Sequence, residues 1–139
     1  KIRTGNDITV VSYGSTLKLI EKAAIELEKF NISCEIIDCQ SLIPFDSDND
    51  ICESVKKTNR IIIIDEDFSG GASAYILDKL INKQNIYNYL DSKPYTLSAQ
   101  DHRPAYGTDG DYFSKPSMDE VFNKIYSVMN ELNPEKYPI

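Results

Sequence analysis

The sequence has 139 residues, a formal net charge of −7, 41% hydrophobic and 27% charged residues, the balance of one globular domain able to bury a real core. So acidic a chain excludes a general nucleic-acid binder, which needs a basic face for phosphate, and favours neutral or basic protein partners. No apolar run approaches the roughly 20 residues of a membrane span, and no signal-peptide pattern opens the chain. Its first residue is Lys1 rather than Met, and "KIRTGND" reads as the interior of a longer chain.

Taken in order, "DITVVSYG" is a short apolar strand closed by Gly14, after which Ser15 is placed to cap a helix. Leu17, Ile20, Ala24 and Leu27 recur at helical spacing. "NISCEIIDC" returns as a strand with Asn31 in the turn before it, and Pro44 makes "SLIPFDSDND" a connector. A short helix through Ile51 and Val55 ends near Thr58–Asn59. Ile61–Ile64 is apolar at every residue, the mark of a central strand covered on both faces. A helix carrying Ala72, Ile76 and Leu80 follows, then the strand "YTLSA" and a polar loop from Gln100 to Lys115. Ser117 with Glu120 forms a capping box that opens the last helix, whose Val121, Ile125, Val128 and Leu132 lie on one stripe before Pro134. This alternation predicts an α/β fold, one domain over 1–139: an open, mostly parallel twisted sheet of about five strands with helices on both faces.

Cys34, Cys39 and Cys52 are odd in number and lack CxxC spacing, which speaks against both a disulfide framework and a zinc site. They are expected to be buried small hydrophobes. "IIIIDEDFSGGASAYILDKL" (Ile61–Leu80) has the strand, glycine loop and helix of a phosphate cradle. Yet Asp65, Glu66 and Asp67 stand at its mouth and no phosphate-loop Lys follows. Gly70–Gly71 is therefore expected to be a tight strand-to-helix turn, with the reason for the acids open.

Ligands of open α/β sheets sit outside the carboxyl ends of the strands, which puts Tyr13–Ser15, Cys39–Ser41, Asp65–Gly71 and Gln100–Tyr106 on one rim. Ser12 and Tyr13 stand where a phospho-acceptor receiver would need an acid pair. "YGST" is short for a flavin phosphate loop, and a dinucleotide fingerprint is absent. The Asp-Gly-Asp of "TDGDY" reads as turn chemistry. His102, the sole histidine, stands beside Asp101 and Arg103 in "QDHRPAYG".

"GNDITVVSYG" (Gly5–Gly14), "EIIDCQSLIPFD" (Glu35–Asp46), "VKKTNRIIIIDEDFSGG" (Val55–Gly71) and "QDHRPAYG…KPS" (Gln100–Ser117) resemble the C-terminal domain of the transketolase family. Specifically, they are similar to the beta part of the 2-oxo acid dehydrogenase decarboxylating component, of pyruvate or 2-oxoisovalerate (branched-chain) type. The resemblance implies a parent enzyme that uses thiamine diphosphate and magnesium to decarboxylate a 2-oxo acid and passes the acyl group to a lipoyl arm. It implies that other domains hold the cofactor, so that no catalytic, cofactor-binding or metal residue is expected here and the isolated domain is inactive. The implied partners are the remaining domains or subunits of the decarboxylating component and the lipoyl acyltransferase core, in a homo- or hetero-oligomer. The implied compartment is the bacterial cytoplasm or the mitochondrial matrix. Glu66 matches the family's acid before the turn and, with Asp101, His102, Arg103 and Tyr106, makes the set of substrate-channel or interface candidates. Apolar residues near Phe45, Phe68 or Tyr75 are expected to be exposed in the domain taken alone. The competing expectation is a stand-alone α/β binding or regulatory module without a catalytic parent.

Overall fold

A computed structural model describes residues 1–68, 70–99 and 115–139. Among them are four strands, β1 (Ile8–Ser12), β2 (Cys34–Asp38), β3 (Ile61–Phe68) and β4 (Tyr95–Ala99), one fewer than the five or so expected. They form one parallel sheet in the order β2-β1-β3-β4. The helices among the described residues are α1 (Thr16–Glu28), α2 (Asp50–Thr58), α3 (Ala72–Asn82) and α4 (Met118–Leu132), with a 3-10 turn at Ile86–Tyr89.

Successive strand residues face opposite sides, and β3 shows the result. Ile62 and Ile64 join a core with Ile8, Val10 and Ile36 under α1 and α4, while Ile61 and Ile63 join Val11 and Ile37 under α2 and α3. All four isoleucines are fully buried, as expected of a central strand with helices on both sides. Thr9 breaks the apolar run. Its hydroxyl shares hydrogen bonds with Ser54 (2.6 Å) and Thr58 (2.7 Å) of α2, so this buried polar group is satisfied.

Several local expectations are corrected. β3 continues beyond Ile64 through the acids to Phe68, and three residues of β3 stand against one of β4 between the pairs Ile64–Leu97 and Phe68–Ala99. The extra residues make a bulge, which turns side chains out of simple alternation. Ser15 sits at the N-cap position of α1 but in helical backbone, and it makes no capping bond. Cys39 lies past the end of β2 and is half-buried, whereas Cys34 and Cys52 are buried. Burial first, then the charges of Asp7 and Glu28, push the Cys34 thiol up to about 12 against the opposing pull of Arg3. Of the apolar groups expected at the surface, Phe45 and Tyr75 are half-buried, and their neighbour Ile43 is the exposed one at 85%.

Candidate functional site

β1 is followed by a crossover to β2 on one side, while β3 lies on its other side, so the carboxyl ends of β1 and β3 flank the point where strand order reverses. That is where a crevice opens in such sheets. Ser12 closes its floor by donating to the Ile64 carbonyl at 2.7 Å. Above it Asp65, two residues on from Ile63 and so on the α3 side of the sheet, is fully buried. Its Oδ1 accepts from the Tyr13 hydroxyl and from the Asp67 N–H (3.0 Å), and its Oδ2 accepts from the Ser73 N–H at 2.8 Å. The last bond answers why an acid follows four isoleucines. The N-cap position of α3 is Gly71, which has no side chain to satisfy the first N–H groups of the helix, and Asp65 supplies the oxygen from the strand instead. Gly70 turns the chain at φ +92, a backbone region that side chains rarely adopt.

This arrangement does not fit a diphosphate. The helix end that would receive the anion is already occupied by a carboxylate, and Glu66 and Asp67 add like charge beside it. The same charges act on Tyr13. Burial, the bond to Asp65 and the negative potential of Asp65, Asp67 and Glu66 all push its phenol above the usual tyrosine range.

Glu66 stands at the mouth, half-buried. Its Oε2 lies 3.4 Å from the Ser15 hydroxyl of the α1 end and 3.8 Å from Lys115 Nζ, just before α4. These groups line a cavity of about 370 Å3 together with Leu19, Pro116 and Met118. A second cavity of about 540 Å3 opens between the ends of β1 and β2, over Tyr13, Asp38, Cys39, Gln40 and Leu42. The structure thus brings Tyr13–Ser15, Cys39–Gln40 and Asp65–Glu66 to one rim, as the strand order requires. Asp101, His102, Arg103 and Tyr106 lie outside the described residues. Tyr13 and Asp65 are the pair that sequence reasoning missed; the available signal was a glycine at a helix start with no capping residue beside it. Among the described residues, no three His, Cys, Asp or Glu side chains are grouped to hold a metal ion, and no helix is long and apolar enough to cross a membrane.

The transketolase C-terminal domain model matches residues 1–114. The pyruvate dehydrogenase E1 component subunit beta of Rickettsia felis is 34% identical over 128 residues, 91% of this chain and 38% of that protein. The mitochondrial 2-oxoisovalerate dehydrogenase subunit beta 2 of Arabidopsis thaliana is 40% identical over 84 residues, 59% of this chain and 23% of its own length. The chain therefore spans about two fifths of the length of the first curated relatives it matches. In structure it is similar to a split-gene transketolase described as an inactive beta4 tetramer, with a TM-score of 0.71 at 20% identity over 92% of this chain and 40% of that one. That likeness is one of fold, and it carries the same parallel α/β sheet. With the family match running through β4 and most of the chain, this protein belongs to the transketolase C-terminal domain family.

Proposed function

We propose that the chain serves as the C-terminal assembly domain of the beta part of a thiamine-diphosphate-dependent 2-oxo acid dehydrogenase decarboxylating component. The observation that carries this reading is the 34% identity to a pyruvate dehydrogenase E1 beta subunit over 91% of the chain. The stand-alone module has no comparable support. In the proposed parent, the cofactor and magnesium sit in other domains. Asp65 supports this, since it fills the helix end after β3, which has the strand-and-glycine-turn shape of a diphosphate site. Partners of this domain are those other domains and the lipoyl acyltransferase core, and the assembly is oligomeric. The exposed Ile43 beside half-buried Phe45 supports a covered surface at that loop. Relatives include bacterial, mitochondrial and chloroplastic proteins, and the compartment proposed here is the bacterial cytoplasm or the mitochondrial matrix.

Glu66, Asp101, His102, Arg103 and Tyr106 are the proposed channel or interface residues. Arg103 has the planar, two-pronged donor set that receives a carboxylate, whether from a 2-oxo acid or a partner domain. The test expresses the natural reading frame with its alpha part and measures dye reduction driven by pyruvate and by 2-oxoisovalerate. Turnover with one of them, and a loss of more than about threefold in kcat/KM in Arg103→Ala, about 0.65 kcal/mol in the barrier, is the expected result. A folded assembly that turns over neither acid overturns the enzyme reading. Turnover with an unchanged Arg103→Ala overturns the channel role alone.

A further inference from the structure

Among the described residues, the outer edge of β2 has no strand of the sheet beside it, and residues 2 and 3 lie across it instead. The Ile2 N–H donates to the Ile36 carbonyl and the Ile36 N–H donates to the Arg3 carbonyl, both at 2.9 Å, while Arg3 also pairs with Glu28 of α1. At Gly5 the segment presses so closely on β2 that a Cβ there would fall 2.3 Å from the Cys34 carbonyl carbon, a position only glycine can occupy.

Beneath this segment lies Glu35, with a side chain at 0% exposure. Its Oε1 takes Lys57 Nζ of α2 at 2.5 Å, has Lys1 Nζ at 3.3 Å and accepts from the Gly5 N–H at 3.4 Å. Its Oε2 meets no donor among the described residues. One oxygen of one buried charge is thus the meeting point of the first residues of the chain, the edge strand and α2. A buried carboxylate is costly without its partners, so any movement of residues 1–5 off the edge must strip partners from it. A free sheet edge offers unpaired N–H and C=O groups to other strands, which proteins prevent by covering it.

We propose that Glu35 is a latch that holds residues 1–5 over the open edge of β2 and ties them to α2, keeping that edge from pairing elsewhere. The test is residue-resolved amide hydrogen exchange on the 139-residue chain, with trypsin cleavage after Arg3 as a second readout. Glu35→Gln keeps the volume and removes the charge, and Lys1 and Lys57, both partly exposed, can turn to water, so the domain stays folded. The Ile36 amide is expected to exchange at least about tenfold faster and cleavage after Arg3 to rise in step, while Ile62 and Ile63 change by less than about twofold. Gly5→Ala forces the segment off with Glu35 intact and is expected to give the same local pattern. An unchanged Ile36 in Glu35→Gln overturns the latch, even if Gly5→Ala opens the edge. Equal acceleration across all sheet amides overturns it too, since Glu35 would then serve global stability only.

Discussion

Replacing Asp65 by Asn would keep its volume but leave a single carbonyl oxygen to receive what two carboxylate oxygens now accept from Tyr13, Asp67 and Ser73. At least one buried donor then loses its acceptor, and bonds to a charged group are the stronger kind. Urea denaturation is expected to show Asp65→Asn less stable by about 2–3 kcal/mol. Tyr95 makes a second, pH-dependent case. The bond it donates to Glu131, then its burial, then the charge of Glu131 push its phenol up to about 12. A folded value above the unfolded one near 10 means that the stabilisation is fully present below about pH 10 and is lost as pH rises through about 12. Tyr95→Phe is expected to flatten that alkaline decline, read as the urea midpoint against pH, with little left to lose above pH 10.

At the level of elements, two helix starts that look alike in sequence behave differently. Ser117 is extended, accepts from the Glu120 N–H at 3.2 Å and opens α4 with the N-cap half of the predicted capping box, while Glu120 Oε1 lies 3.4 Å from the Ser117 hydroxyl rather than on its N–H. Ser117→Ala is expected to lower stability by about 1 kcal/mol, visible as a lower Tm. Ser15→Ala at the start of α1 is expected to leave Tm nearly unchanged, since no capping bond is lost there. The difference lies in the backbone, because Ser15 follows the left-handed Gly14 and is already helical. What was legible in the sequence is what repeats: the helical stripes, the all-apolar β3 start and the Ser–Glu spacing. What was not legible depends on partners far along the chain. The acidic half of β3 looks like loop until Ser73 and Tyr13 give Asp65 its donors. The pairing of residues 2–3 with Ile36 is too short to leave a periodic trace. The 3-10 turn at Ile86–Tyr89 is set by burial of one residue, Ile86. Of the candidate site, Glu66 was visible and sits on the predicted rim.

Taken as a whole, the molecule joins two cores through one sheet, and among the described residues the cores under α1–α4 and under α2–α3 have no side chain in common. Parallel strands oblige this plan, because each crossover must pass over a face and cover it. Ile125 of α4 and Ile76 of α3 lie fully buried on opposite sides. Trimming either to Val removes one methylene and is expected to cost about 1 kcal/mol. The backbone of β1 and β3 stands between them as a rigid wall, so a cavity on one side has no packed neighbour through which to relax into the other. The double substitution is therefore expected to cost the sum of the two single ones within about 0.5 kcal/mol, measured from urea midpoints. Such thermodynamic independence gives each face its own latitude for sequence change: residues beneath α2 and α3 can be exchanged for one another without any compensating change beneath α1 and α4.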